Sequence, residues 1–336
     1  MKQFDVNAEN SAAAGTAKPG ADGAQLDASA QALLEFVRQQ GNAPLDEVTV
    51  EVAREQSNAL RAKLQPLSPS VLRVEDGVMA AADQRIPYRF YRDVPGDQPV
   101  PLVVFFHGGG FVLGDLDSHD IVCRLLCKDS GCAVLSVDYR RAPEHKFPAA
   151  VDDAVTAMGW VMRNTGALGV DPGRLALAGD SAGANLATVV ALSMKEAGEP
   201  AAALQLLLYP VTDQARDYDS KQRYAAGYGL SLAAINYYAR QYFSNEADKR
   251  DWRASPILHK NLAGLPETLI ITAGFDPLVD EGEAYALRLA AAGVRTTLKR
   301  FPGQIHGFVS RGGVIPQAQE ALDEMTLLLR DRFFAD

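Results

Sequence analysis

The sequence predicts an α/β fold built on a mostly parallel sheet with helices on both faces. From about residue 100 to the end of the chain, short apolar runs that suit buried strands alternate with stretches that suit helices. This alternation is typical of repeated strand–helix–strand units. A pentapeptide of mostly small residues, from Gly179 to Gly183, joins one of these strands to the next helix and is the second observation behind the prediction.

Four segments of the chain lie outside this alternation of strands and helices. Residues 1–27 are predicted to be a flexible tail, because most of this stretch is rich in Ala, Gly, Ser and Asn. Residues 28–65 carry two helical patterns, and residues 71–92 alternate in polarity about a turn, which predicts an antiparallel hairpin. Residues 211–255 form a polar, aromatic-rich insertion that interrupts the alternation.

The alternating part contains the remaining strands, which bring the predicted total to eight. These strands are predicted at residues 100–106, 132–137, 174–178, 203–209, 268–273 and 296–301. The helices that separate and follow them are predicted at residues 118–129, 149–164, 184–198, 279–292 and 315–334.

The composition indicates one large core and excludes some classes of partner. Of the 336 residues 47% are hydrophobic, and the net charge of −9 disfavours nucleic acid and anionic membranes as partners. The three cysteines are too few for a disulfide framework and are interpreted as small buried residues, so neither a metal nor a cofactor is expected. We recognise no signal peptide and no run of roughly 20 apolar residues that would insert in a membrane. We therefore expect a cytoplasmic protein, and a homodimer is one alternative for its oligomeric state.

Ser181 is the candidate nucleophile. It stands at the centre of the pentapeptide Gly179 to Gly183, between an apolar strand pattern and an apolar helix pattern. A tight turn at this place holds the serine hydroxyl clear of its own backbone, and the N–H groups of the following helix point towards developing negative charge. Because a plain turn also fits the pentapeptide, the interpretation depends on finding a base and an acid elsewhere.

The base and the acid follow from chain order. A serine becomes nucleophilic when a histidine, oriented by a carboxylate, takes its proton, and in this type of site the acid and then the histidine follow the serine. Of the five histidines only His259 and His306 follow Ser181, and only His306 also follows Asp276, which comes directly after an apolar strand. Asp276 is the preferred acid; Asp280 is the alternative and is better explained as a helix-start residue.

A glycine run, His107-Gly108-Gly109-Gly110, directly follows the strand at residues 100–106. Glycines let backbone N–H groups turn outward and let a substrate carbonyl approach, which favours one half of an oxyanion hole. A phosphate-binding loop is the alternative, but the glycine spacing differs and no Lys-Ser/Thr pair follows. His107 is interpreted as a hydrogen-bonded anchor of the loop and not as a base.

These motifs resemble those of the hormone-sensitive-lipase-like esterases, bacterial family IV of the α/β-hydrolase superfamily. Two positions depart from the usual pattern, Ala184 and Arg141, and we expect the Arg141 side chain to be external. The matching segments appear in the family's order at residues 107–110, 138–140, 142–145, 147–150, 179–183, 276–278, 280–282 and 306–308.

The resemblance implies an α/β-hydrolase fold with a mostly parallel eight-stranded sheet and a helical cap. It implies Ser181 as nucleophile, His306 as base and Asp276 as the orienting acid. The oxyanion hole would be formed by backbone N–H groups, with Gly108, Gly109, Gly110 and Ala182 as the candidates. The cap would comprise residues 28–65 and 211–255, and the catalytic core residues 66–210 and 256–336.

The functional hypothesis is a carboxylic ester hydrolase that acts on short- to medium-chain acyl esters through an acyl-enzyme, without metal or cofactor. Two alternatives stay open: a small-molecule receptor on this scaffold, as in the plant gibberellin receptors that lack the working histidine, and a peptidase or amidase on the same fold. The aromatic residues of the insertion either fill the cap or line the acyl pocket; they are Tyr224, Tyr228, Tyr237, Tyr238, Tyr242 and Phe243.

Overall fold

The computed structural model describes residues 23–81, 84–199 and 202–335. Most of the predicted tail, residues 1–22, lies outside the described residues. The end of the predicted tail is packed: Leu26 is buried, and the backbone N–H of Asp27 donates to the carbonyl of Gly303 at 2.9 Å. Packing against the core therefore begins before the boundary predicted at residue 27.

The described residues form one eight-stranded sheet, as predicted. Its strands are β1 (Arg73–Ala81), β2 (Gln84–Arg92), β3 (Val100–Phe106), β4 (Ala133–Val137), β5 (Val170–Asp180), β6 (Leu204–Leu208), β7 (Glu267–Phe275) and β8 (Thr296–Ile305). Their order is β1-β2-β4-β3-β5-β6-β7-β8. β2 pairs antiparallel with β1 and with β4, and the other neighbours are parallel, which confirms a mostly parallel sheet.

The helices connect these strands and cover the sheet. They are α1 (Ala28–Gln39), α2 (Val50–Leu64), α3 (Asp120–Ser130), α4 (Ala149–Leu168), α5 (Ala182–Ala197), α6 (Asp219–Arg223), α7 (Leu232–Tyr242), α8 (Val279–Ala291) and α9 (Gln317–Phe334). β5 begins earlier than the prediction, because Val170 pairs with Val100 although the turn-like residues that follow it resemble a loop. Short 3₁₀ helices lie between these elements, and one of them, Phe308–Arg311, begins shortly after the end of β8.

The core lies on both faces of the sheet. Every residue of β3 is buried, and successive side chains point to opposite faces. Val104 belongs to a cluster that includes residues of α4, α5 and α8, whereas Val103 belongs to a cluster that includes residues of α3 and α9. The continuous apolar pattern of β3 is thus explained by burial on two sides, as in other parallel sheets.

Cys123, Cys127 and Cys132 are buried free thiols, as predicted, and burial raises the pKa of each. Among the described helices, none combines the length and the apolar character that crossing a bilayer requires.

Candidate active site

Ser181 lies between the end of β5 and the start of α5, with a backbone conformation that non-glycine residues rarely adopt. Its φ is 54° and its ψ is −116°, and its N–H donates to the carbonyl of Leu208 at 2.8 Å. Such a conformation costs about 1–3 kcal/mol and is characteristic of functional turns. Gly183 makes the turn sterically feasible, since a Cβ there would collide with the carbonyl oxygen of Phe106.

His306 bridges Ser181 and Asp276. It follows β8, its Nε2 lies 2.9 Å from the Ser181 Oγ, and its Nδ1 lies 2.7 Å from Oδ2 of Asp276. Asp276 follows β7 and is fully buried, and its second oxygen accepts the N–H of Leu278 at 2.8 Å. Because the carboxyl ends of parallel strands meet at one edge of the sheet, three distant parts of the chain deliver these side chains to the same place.

Asp280, the alternative acid, is engaged elsewhere. It lies in the first turn of α8, and its Oδ2 accepts the backbone N–H of Ser220 at 2.8 Å. The next residue, Glu281, accepts the N–H of Thr212 at 2.9 Å and pairs with Lys221 at 3.0 Å. Both carboxylates therefore connect α8 to the insertion and not to the histidine.

The glycine loop requires one correction to the predicted oxyanion donors. The N–H of Gly108 donates to Oδ1 of Asp180 at 2.7 Å, so it is not available to a substrate oxygen. Gly109 and Gly110 have positive φ values of 125° and 62°, which turn the backbone sharply at this point. Within the described residues, no acceptor contacts the N–H of Gly109, Gly110 or Ala182. The candidate donors are therefore reduced to these last three residues.

Asp180 is a buried anion that the sequence analysis did not single out. Nε2 of His119 lies 3.0 Å from the same Oδ1 that accepts the Gly108 N–H. Burial alone would raise the pKa of Asp180, but the charge of His119 and its hydrogen bond lower it to about 2. His119 comes from the start of α3, and no local signal in the sequence distinguishes it from a surface histidine.

His107 is enclosed by the protein and supports the loop, as the sequence analysis proposed. Burial, together with the nearby charge of His119, lowers the pKa of His107 to about 3, so the ring stays neutral. It stacks on Tyr139 with 4.3 Å between the ring centroids, and its backbone carbonyl accepts the Tyr139 hydroxyl at 2.7 Å.

A cavity of about 620 Å³ opens above Ser181. Its walls include residues of α1, α2 and α7, which come from the two segments predicted to form the cap. The aromatic residues of the insertion contact either the central sheet or the cavity. Tyr224 and Tyr228 pack against Phe275, at centroid distances of 5.6 and 5.4 Å. The cavity is lined by Tyr238, Tyr242 and Phe243.

Two arginines, Arg54 and Arg141, connect separate parts of the chain, and neither contact was predicted from the sequence. Arg54 of α2 donates to the carbonyl of Val112 at 2.9 Å and forms a bidentate pair with Glu144. Arg141, expected to be external, is half-buried because its guanidinium donates to the carbonyl of Gly114.

In the described part of the chain, no group of three His, Cys, Asp or Glu side chains is arranged to hold a metal ion.

The chain matches a family model described as alpha/beta hydrolase fold over residues 103–310. It is 46% identical to the carboxylic ester hydrolase LipN of Mycobacterium tuberculosis over 67% of this chain, and the match spans 61% of the length of that relative. It is 42% identical to an ethyl acetate hydrolase of Pseudomonas putida, over 70% of this chain and 76% of the relative.

Solved structures are similar over almost the whole chain. The ester-hydrolase EH1AB1 from the metagenome of Lake Arreo has a TM-score of 0.89 at 38% identity, covering 93% of this chain and 100% of that one. A hyperthermophilic esterase of Pyrobaculum calidifontis has a TM-score of 0.87 at 40% identity, with the same coverage of 93% and 100%. The chain belongs to the alpha/beta hydrolase fold family, as a member of its hormone-sensitive-lipase-like esterases.

Proposed function

We propose that this carboxylesterase hydrolyses short- to medium-chain acyl esters through Ser181, His306 and Asp276, with an acyl-enzyme intermediate. The observation that carries the proposal is the position of the His306 ring, with Ser181 at 2.9 Å on one nitrogen and Asp276 at 2.7 Å on the other. A base within hydrogen-bond reach of the serine, itself held by a buried carboxylate, is the arrangement that makes an alcohol nucleophilic.

In the proposed mechanism, the Ser181 Oγ attacks the ester carbonyl while Nε2 of His306 takes its proton. The oxygen that becomes negative is received by the N–H groups of Gly109, Gly110 and Ala182. His306 then returns the proton to the departing alcohol, and water repeats the cycle on the acyl-enzyme. One oxyanion donor typically lowers the activation barrier by about 3 kcal/mol, so the glycine loop is expected to contribute substantially to the rate.

The proposed preference for shorter acyl chains is consistent with the cavity and with one relative. A space of about 620 Å³ lies within the range usual for small-molecule sites, and the side chains of Tyr238, Tyr242 and Phe243 bound it. Such a cavity has room for an acyl group of a few carbons beside Ser181. The relative named ethyl acetate hydrolase is consistent with a small ester as substrate.

The test compares Ser181→Ala with Ser57→Ala, a serine of α2 that also lines the cavity but has no histidine bonded to it. Ser181→Ala is expected to lower kcat for p-nitrophenyl butyrate by about 10⁴-fold or more and to abolish labelling by a fluorophosphonate probe, with the melting temperature retained. Ser57→Ala should keep the label. Near-wild-type turnover in Ser181→Ala would show that Ser181 is not the nucleophile. Failure of the fluorophosphonate probe to label the wild-type protein would favour the receptor alternative.

Two substrate series refine the proposal. In a series of p-nitrophenyl esters from acetate to palmitate, kcat/KM is expected to peak at four to eight carbons, and a maximum at palmitate would contradict the chain-length proposal. Comparing p-nitrophenyl butyrate with the matching anilide separates an esterase from an amidase, which would cleave the anilide with comparable efficiency.

A further inference from the structure

Two guanidinium groups line the cavity above Ser181. Arg61 comes from α2, and Arg311 comes from the 3₁₀ helix that follows His306. Within the described residues, neither forms a salt bridge. Nη1 of Arg61 lies 3.3 Å from Nδ1 of His119, and Nη1 of Arg311 donates to the carbonyl oxygen of His306 at 3.3 Å. Neither contact brings a negatively charged atom to these guanidinium groups.

The acidic side chains of the same cavity are already paired. Asp180 is paired with His119, Asp213 with Arg216 and Glu281 with Lys221, at 3.0, 3.5 and 3.0 Å. A further cavity cation, Arg38, pairs with Glu35 at 2.7 Å. Among the described residues that line the cavity, the charge left without a salt bridge is thus positive, although the whole chain carries a net charge of −9.

Arg311 is half-buried in the wall of the cavity. A Cβ on Gly307 would lie 3.6 Å from its Nη2, and a Cβ on Gly229 would lie 4.0 Å from its Nη1. Burial, together with the charge of Arg61, lowers the pKa of Arg311 to about 10. A buried cation is normally paired, because leaving it unpaired is costly. A ligand that supplies an anion offsets the unfavourable free energy of the unpaired cation. Guanidinium groups bind carboxylates with favourable bidentate geometry.

We propose that Arg61 and Arg311 bind an anionic group of the substrate, so that the preferred substrates are esters carrying a free carboxylate besides the ester that is cleaved. The inference rests on the proposed function, since it names the substrate class of that same site. A carboxylate placed between the two guanidinium groups would neutralise the cavity and orient the ester over Ser181.

The first experiment uses pairs of substrates that differ by one negative charge and one methyl group. Mono-p-nitrophenyl adipate and its methyl ester place the carboxylate or its neutral counterpart on the acyl part, whereas 4-acetoxybenzoate and its methyl ester place it on the alcohol part. After correction for spontaneous hydrolysis, we expect kcat/KM for the anionic member to exceed that of the neutral member by about tenfold or more in one pair. The pair that responds identifies the part of the substrate that contacts the arginines.

The second experiment uses substitutions of the two arginines. Arg311→Gln and Arg61→Gln are each expected to reduce the ratio of anionic to neutral kcat/KM by about tenfold, and Arg311→Lys should retain part of it. Arg38→Gln is the matched control, because Arg38 has its own partner in Glu35, and it should leave the ratio unchanged. Raising the ionic strength should lower the wild-type ratio.

The two proposals fail in different ways. If the neutral esters are cleaved in a Ser181-dependent manner but neither pair favours the anion, this inference is wrong and the proposed function stands. If neither ester is cleaved, calorimetry on Ser181→Ala protein still decides the inference, since mono-p-nitrophenyl adipate should bind about tenfold more tightly than its methyl ester. Equal affinities in that measurement would overturn it. Should a variant fail to fold, the wild-type ratio and this calorimetric comparison remain decisive.

Discussion

The backbone N–H of Gly108 donates a 2.7 Å hydrogen bond to the carboxylate of Asp180, the residue immediately before Ser181. This bond joins the glycine loop, which follows β3, to the turn that carries the proposed nucleophile at the end of β5. His119 contacts the same carboxylate oxygen from α3. The buried carboxylate of Asp180 therefore fixes the glycine loop and the turn at Ser181 relative to each other. Its removal should affect both the stability of the fold and the proposed catalysis.

Asp180→Asn is expected to weaken the fold and to change its dependence on acid. The pKa of Asp180 is about 2 in the folded protein, below its usual value of 3.8. Because the folded-state value is the lower one, the ionised carboxylate stabilises the fold above about pH 4, and this contribution is lost as the pH falls from about 4 towards 2. The substitution should lower the free energy of unfolding at pH 7 by about 2 kcal/mol.

Denaturant titrations of both proteins at pH 7, 4 and 3 check this expectation. The wild-type protein should lose more stability between pH 4 and pH 3 than Asp180→Asn, since the amide does not titrate. An equal loss in the two proteins would show that the carboxylate is not a stabilising charge. The substitution should also lower kcat for a neutral ester, because Gly109 and Gly110 follow the residue that it releases.

The two carboxylates Asp276 and Asp280 should respond very differently to the same change. Asp276→Asn keeps the shape of the side chain but removes the anion that orients His306, and we expect kcat to fall by about 10³- to 10⁴-fold. Asp280→Asn should keep kcat within about threefold, because its contact is with the Ser220 backbone, and should cost about 1 kcal/mol of stability. Steady-state kinetics of the two variants decides the question, and a larger kcat loss in Asp280→Asn would reverse the assignment.

Gly183 and Gly166 provide a matched pair of helical glycines. A Cβ at Gly183 would collide with the carbonyl of Phe106, so Gly183→Ala is expected to destabilise the protein by about 3 kcal/mol or more and to displace Ser181. Gly166, near the end of α4, has nothing within 4 Å of the same position. Gly166→Ala should therefore stabilise the protein by about 0.5–1 kcal/mol through its greater helix propensity.

Thermal and denaturant unfolding of the two alanine variants measure these effects. A well-folded and fully active Gly183→Ala protein would contradict the close approach of β3 and the turn at Ser181. The Gly166→Ala variant reports on the helix alone, so its kcat is expected to equal that of the wild-type protein.

Arg54 should contribute more to the attachment of α2 than the exposed Arg38 contributes to α1. Arg54 donates to two backbone carbonyls, those of Val112 and Ala142, and to Glu144, whereas Arg38 forms one pair within its own helix. Arg54→Ala is expected to cost about 1–3 kcal/mol in unfolding free energy and to raise KM, since α2 lines the cavity. Arg38→Ala should cost less than about 0.5 kcal/mol.

Urea unfolding and limited proteolysis of the two variants test this difference. Cleavage near residues 45–65 should become faster in Arg54→Ala than in Arg38→Ala. Equal unfolding free energies and equal cleavage rates in the two variants would mean that α2 is held mainly by its apolar contacts.

The mostly parallel sheet and the glycine-flanked turn from β5 into α5 illustrate what the sequence alone could predict. The buried strands have apolar patterns that require cover on both faces, and the chain needs glycine wherever Gly179 and Gly183 approach other backbone. The ends of the strands were harder to predict from the sequence. β5 begins at Val170 because it pairs with β3, although the local sequence resembles a turn. Pairing with a neighbouring strand can override a local turn preference.

The motifs around Ser181, Asp276 and His306 could be recognised from the amino-acid order alone, because each is a short local pattern placed after a strand. The use of the Gly108 N–H by Asp180, and the meeting of Arg61 and Arg311 in one cavity, could not be recognised in that way. These contacts join residues far apart in the chain, and no local pattern encodes which buried charge meets which partner. They arise only when packing of the sheet and its helices brings those groups out of water and next to one another.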